Sequence, residues 1–180
     1  LKSYFEEETG QAFVSGIKVL VKVTVGFHEL YGFSLTIIDI DPTYTLGDMA
    51  RRRKEILNRL DAEGILTLNK ELDFPELPQR IAVISSATAA GYGDFCNQLE
   101  NNIYGFQFCT RLFPAVMQGD KVESSIIAAL DIINAEIDNW DVVVIIRGGG
   151  ATSDLSGFDT YDLAANCAQF PLPIITGIGN

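Results

Sequence analysis

Between positions 12 and 40 apolar residues recur at every second place, with Val19, Val21, Val23 and Val25 on one face and Lys18, Lys22 and Thr24 on the other. A period of two predicts a half-buried strand. Residues 26–32 interrupt the pattern and Phe33, Leu35 and Ile37 resume it, which predicts two antiparallel strands joined by a loop longer than two residues. Asp41-Pro42 should end this sheet, because proline has no amide proton to donate and restricts the residue before it.

Leu46, Met49, Ile56, Leu57 and Leu60 then fall on one face of a helix over residues 46–63, with Arg51, Arg52, Arg53 and Lys54 among them. A solvated helix face is the plain meaning of that basic run, and nucleic-acid contact is the alternative. Gly64 is a natural stop, and Phe74-Pro75-Glu76-Leu77-Pro78 reads as an extended connector near a domain boundary.

From Arg80 the texture changes. Short β-branched runs at 81–84, 107–113, 142–146 and 173–176 alternate with helical stretches at 92–102, 122–138 and 161–169. The runs are apolar on both faces, which predicts an α/β fold: a parallel sheet covered by helices on both sides, Rossmann-like and three-layered. Right-handed crossovers place every loop that follows a strand along one edge, where open α/β sheets bind ligands. The expected organisation is residues 1–45 as an antiparallel β-domain, 46–79 as a basic helix and connector, and 80–180 as the α/β domain.

The 180 residues are 47% hydrophobic, which excludes disorder as the main description. Their net charge of -11 argues against broad coating of nucleic acid, while leaving room for a local basic site. Cys96, Cys109 and Cys167 are odd in number and sit in apolar stretches, so reduced core thiols and a cytoplasmic location are expected. No run approaches the ~20 apolar residues of a membrane span. A start at Leu1 and a stop at Asn180 just after a strand suggest a fragment of a longer chain.

Chemistry gathers after the strands. The loops carry Ser85-Ser86-Ala87-Thr88-Ala89-Ala90-Gly91, then residues 114–119 with Gln118, then Arg147-Gly148-Gly149-Gly150, then Gly177-Ile178-Gly179-Asn180. Small residues let backbone amides approach an anion, and a following helix presents its positive end to it. Arg147 beside three glycines is suited to gripping a phosphodiester, the competing reading being a plain strand-to-loop turn with Arg147 on a surface carboxylate. Asp94, expected to begin a helix, and Asp154 can each orient water or bind a metal through oxygen, with helix capping as the structural alternative. His28, the sole histidine, reads as a solvated loop residue, so no Ser-His-Asp triad exists within this chain.

Taken together, Arg80 through Thr88 with Ala90 and Asp94, Phe113 through Gly119, Arg147-Gly148-Gly149-Gly150 through Asp154-Leu155 and Phe158, and Pro173 through Gly179 resemble the ordered motifs of the exodeoxyribonuclease VII large subunit. The resemblance implies a partial oligonucleotide-binding (OB-fold) barrel before the α/β domain. It also implies a cytoplasmic nuclease that hydrolyses single-stranded DNA from either end to oligonucleotides, with no metal ligands and no cofactor or divalent ion required. The partners implied are single-stranded DNA and a small subunit that docks on a C-terminal region beyond residue 180.

Site residues carried over on the matching positions are Asp94, Arg147 and Asn180 as catalytic, with Ser86, Thr88, Gln118, Gly148, Gly149, Gly150 and Asp154 on the phosphate or DNA. Asn180 stands where the family has histidine. Ala151, Asp159, Tyr161 and Ala165 stand where it usually has Ser, Asn, Glu and Arg. The readings from other classes are a non-catalytic nucleotide- or phosphate-binding α/β module and a Rossmann-like enzyme acting on a phosphorylated metabolite.

Overall fold

The computed structural model describes residues 1–148 and 155–178, and contacts divide these into two compact units, residues 1–55 and residues 56 onward. The division falls inside a helix, α2 (Pro42–Ala62).

The first unit opens with α1 (Lys2–Thr9), which the sequence pattern did not announce. Its single buried side chain, Phe5, meets Phe13 edge to face at 5.2 Å, and the Phe13 amide donates to Glu6 Oε1 at 2.8 Å. Strands β1 (Leu20–His28) and β2 (Gly32–Asp41) pair antiparallel with a bulge between Lys22 and Val23. Gly26 continues the strand rather than interrupting it, facing Ser34 so closely that a Cβ would come 2.9 Å from the Ser34 hydroxyl. The loop is therefore residues 29–31, closed by the Tyr31 amide on the His28 carbonyl and by Gly32 at φ +74°, the left-handed residue that three-residue hairpins use. His28 ends β1 and its Nδ1 accepts from the Leu30 amide at 3.2 Å.

The face expected to be half-buried is so at Val19, Val21 and Val23 and open towards the hairpin end. Val25, Phe27, Phe33, Leu35 and Ile37 are exposed, Phe33 at 79%. Among the described residues β1 and β2 pair only with each other, so a two-stranded ladder stands where the resemblance implied part of a barrel. Pro42 ends the sheet by starting a helix: Asp41 Oδ1 accepts from the Thr43 amide at 2.9 Å, an N-cap with proline in the first turn. In the basic run, Arg51 pairs on its own helix with Asp48 and Glu55, and Arg52 with Asp48. The Arg51 guanidinium holds the Asp48 carboxyl below its usual range.

The second unit is the α/β layer structure expected. Its strands β3 (Arg80–Ser85), β4 (Cys109–Pro114), β5 (Val142–Ile146) and β6 (Ile174–Gly177) form one parallel sheet in the order β4-β3-β5-β6. Helices α3 (Ala90–Glu100), α4 (Val122–Ala135) and α5 (Tyr161–Ala168) connect them. Alternate strand residues feed two cores. Ala82, Ile84, Phe113, Val143 and Ile145 pack with Val122, Ile126, Leu130 and Ile133 of α4 and Leu163 of α5. Ile81, Val83, Val142, Val144 and Ile146 pack with Tyr92, Phe95 and Leu99 of α3. Of the cysteines, Cys109 is exposed rather than a core thiol, whereas burial pushes the Cys167 thiol up to about 11. Among the described residues no helix is long and apolar enough to cross a membrane.

Polar pins set the edges of this unit. Asn69, in a 3₁₀ turn (Leu68–Glu71), donates to the Phe170 and Leu172 carbonyls and accepts from the Ile174 amide, each at 2.9 Å, so one side chain fixes the approach to β6. The Arg59 guanidinium lies 3.4 Å from the Tyr161 ring centroid, and Glu63 takes both the Tyr161 hydroxyl and Arg59 Nε. At the amino edge, Asp141 Oδ2 accepts from the Gln79 and Arg80 amides at 3.0 and 2.8 Å, while Oδ1 accepts from Arg80 Nε at 2.9 Å.

Those bonds, with the Arg80 side chain first, hold the Asp141 carboxyl below its ordinary value of 3.8. A carboxyl depressed by folding contributes its full stability above that value and loses it as pH falls through the lowered folded value. Asp141→Asn should therefore lower the thermal midpoint at neutral pH, with the gap to wild type closing in acid. A gap that is unchanged or wider below pH ~3.5, measured by thermal denaturation, would show that the Asp141 charge is not the cause.

Candidate phosphate-binding site

β3 and β5 are neighbours in the sheet, and the crossover through α3 carries the chain from β3 outward to β4 while the crossover through α5 carries it from β5 outward to β6, in opposite directions. Their helices occupy opposite faces, and a crevice opens between the carboxyl ends of β3 and β5, the topological switch point of an open sheet. A cavity of about 560 Å³ lies there, lined by Ser86, Thr88, Ala89, Ala90, residues 115–118, Arg147 and Gly148.

Each wall has a local cause. The Ser86 and Thr88 hydroxyls are 3.1 Å apart, and the Ala89 amide donates to the Ser86 carbonyl, turning the chain into α3. Helix α3 has Ala89 as its N-cap with no side-chain cap, and Ala89 and Ala90 line the cavity, so the positive end of the helix lies at its wall with no capping side chain. The loop after β4 is held by the Ala115 amide on the Ser85 carbonyl at 2.9 Å and by the Val116 amide on Ser125 Oγ at 2.8 Å.

Arg147 is the unusual member. It is 94% buried by its 6% exposure, and its Nε has no hydrogen-bond partner among the described residues. The described residues also supply it with no carboxylate, so the surface ion pair weighed from sequence is not what they provide. A buried guanidinium N–H is costly to leave unpaired, and among the described residues nothing accepts from Nε. The cavity beside it, the hydroxyls of Ser86 and Thr88 and the positive end of α3 make this a candidate anion site. Gly148 is needed by packing: a Cβ there would sit 3.2 Å from the Ala89 Cβ and 3.3 Å from the Ala90 nitrogen.

Of the residues singled out from sequence, Ser86, Thr88, Gln118, Arg147 and Gly148 line this cavity. Asp94 does not. It is exposed in the second turn of α3, five residues after the N-cap, and so neither begins nor caps that helix. Gly149, Gly150, Asp154 and Asn180 lie outside the described residues. Sequence reasoning passed over Ser85, whose hydroxyl is fully buried and donates to the Ile146 carbonyl at 2.7 Å. Its signal was a hydroxyl ending an otherwise apolar buried strand, Ile81-Ala82-Val83-Ile84-Ser85.

The fold and crevice define the class as a three-layer α/β domain with a polar crevice at its switch point. The chain belongs to the exonuclease VII large subunit family, whose model, described as "Exonuclease VII, large subunit", matches residues 65–180. It is 36% identical over 185 residues to the exodeoxyribonuclease 7 large subunit of Deinococcus radiodurans, covering all of this chain and 44% of that protein. It is 34% identical over 134 residues to that of a Cyanothece species, 74% of this chain and 31% of the relative. With the Lactobacillus helveticus large subunit it shares 29% over 183 residues, 99% of this chain and 39% of the relative. The chain thus spans less than half the length of these relatives, and the cavity lies wholly inside the matched span.

The contact at Gly148 gives a direct test. Gly148→Ala should wedge the loop after β5 away from the start of α3 by a few tenths of an ångström and weaken anion or oligonucleotide binding several-fold, with little change in thermal midpoint. Binding equal to wild type would show that this close approach does not shape the site.

Proposed function

We propose that the protein carrying this chain is an exonuclease VII large subunit that hydrolyses phosphodiester bonds of single-stranded DNA. The observation that carries the reading is Arg147, buried at the switch point with its Nε unsatisfied among the described residues. In this reading the scissile phosphate enters the crevice, the Arg147 guanidinium and the amides at Gly148 and the start of α3 hold it, and the same groups stabilise the charge added as water attacks. Ser86, Thr88 and Gln118 contact the phosphate or the strand around it. Gly149, Gly150 and Asp154 are assigned to the same loop's grip on the DNA.

Asp94 is given the attacking water. It is an acidic side chain on the helix whose first turn lines the crevice, and the substrate has to reach along α3 to meet it. Asn180 has no titration near neutral pH, so it is assigned polar contact with the substrate and no proton transfer. Positive charge comes from arginine and amides, and the reading requires no divalent ion or other cofactor. A small subunit is the proposed protein partner, since the relatives are named as large subunits, and the free cysteines suit a reducing, cytoplasmic setting.

The full-length protein with its small subunit should digest single-stranded but not double-stranded DNA, and should do so in excess EDTA. Arg147→Ala should remove at least ~2 kcal/mol of transition-state stabilisation, about 30-fold in kcat/KM, without unfolding the chain. Digestion of single-stranded DNA by the Arg147→Ala variant at the wild-type rate would remove Arg147 from the mechanism.

A further inference from the structure

The last paired positions of β3 and β5 are Ile84 and Ile145. One residue further on, where the strands part to open the crevice, the Ser85 hydroxyl donates to the Ile146 carbonyl at 2.7 Å in a fully buried position. Ile146 is the residue immediately before Arg147. On its other side, the Arg147 amide donates to the Gly177 carbonyl of β6 at 3.1 Å. The peptide that launches Arg147 is therefore held from both neighbouring strands, by backbone on the β6 side and by a side chain on the β3 side.

Ser85 also ties in the third wall, since its own carbonyl accepts the Ala115 amide at the start of the loop after β4. We infer that Ser85 is the positioning residue of the site: its hydroxyl replaces the ladder bond lost at the switch point and thereby sets where Arg147 meets the phosphate. The inference rests on the reading of Arg147 as the phosphate-holding group. A hydroxyl serves here because it supplies a donor without lengthening the strand, whereas an apolar side chain would leave the Ile146 carbonyl buried and unpaired. Nothing in the assignment requires Ser85 to touch substrate.

The experiment compares Ser85→Ala, Arg147→Ala and the double variant in the full-length protein with its small subunit, on a single-stranded oligonucleotide. Ser85→Ala is expected to lower kcat ten- to a hundred-fold with KM within about threefold, since a displacement of about 1 Å at a catalytic group costs on that scale. In the Arg147→Ala background the same change should have no further effect, because its action runs through Arg147. Wild-type kcat in Ser85→Ala, or an equal loss in the two backgrounds, overturns the assignment. Wild-type activity in Arg147→Ala instead overturns the underlying reading, which is a separate outcome.

Should Ser85→Ala not fold, Ser85→Thr and Ser85→Cys decide the matter. Threonine, which keeps the hydroxyl, should stay within a few-fold of wild type while cysteine, a weak donor of similar shape, loses activity. Equal activity of these two overturns the assignment.

Discussion

Everything in the α/β unit follows from one topological constraint, the reversal in the direction of travel across the sheet after β4. The chain leaves β3 for β4 on one side and later returns past it to β5 on the other. With right-handed crossovers, this single reversal of travel puts α3 on one face and α4 and α5 on the other, which is how the two cores divide. The loops after β3 and β5 must then diverge above the sheet. A gap at that point cannot be filled by either helix, so the most buried part of the sheet ends in a polar crevice. Arg147 is buried because β5 is central, and among the described residues its Nε finds no partner.

The same geometry reconciles a net charge of -11 with a candidate anion site. Surface carboxylates act through water and salt, and beyond about 8–10 Å their repulsion is largely screened at ordinary ionic strength. A guanidinium held in a crevice is screened much less. Several other described arginines are already spoken for: Arg51 and Arg52 by Asp48, Arg59 by Glu63, Arg80 by Asp141 and Arg111 by Glu136. In the basic run on α2 that invited a nucleic-acid reading, Arg51 and Arg52 are paired with acids one turn away, an arrangement that follows from i, i+3 and i, i+4 spacing. Count of cations is thus a poor guide to where an anion goes, and burial without a partner is a better one.

What the sequence made legible was what local periodicity controls. The helix over 122–138 was readable as an element and buries Val122, Ile126, Ala129, Leu130 and Ile133, and the four strands were readable as short runs, of which only the central β3 and β5 are buried along nearly their whole length. From these the edge carrying Ser86, Thr88, Gln118, Arg147 and Gly148 follows. The exposure of Phe27 and Phe33 was not readable, because alternation fixes that one face is apolar and says nothing about what covers it. Helix α1 has only 8 residues and buries one of them, too little to mark a period. Asp94 was misplaced within α3 because Ala89, with no capping side chain, starts the helix earlier than any polar residue signals. The Asn69 pin joins residues more than 100 apart, and no window along the chain contains both ends.

Two positions where the chain departs from the resembling family differ in what the departure does. Tyr161 stands where the resemblance implies Glu, and here its ring carries the Arg59 guanidinium on its face and its hydroxyl donates to Glu63. An aromatic ring with a polar tip can replace an ion pair at such a site because it offers a cation surface and a hydrogen bond together. That substitution is structural and local to the junction of α2 with α5. Asn180 is different in kind. Its amide can donate and accept but cannot change protonation state, so no rearrangement of neighbours restores a histidine's proton transfer. In the proposed mechanism proton transfer therefore cannot come from position 180, and charge stabilisation by Arg147 has to supply a larger share of the rate than it would beside a histidine.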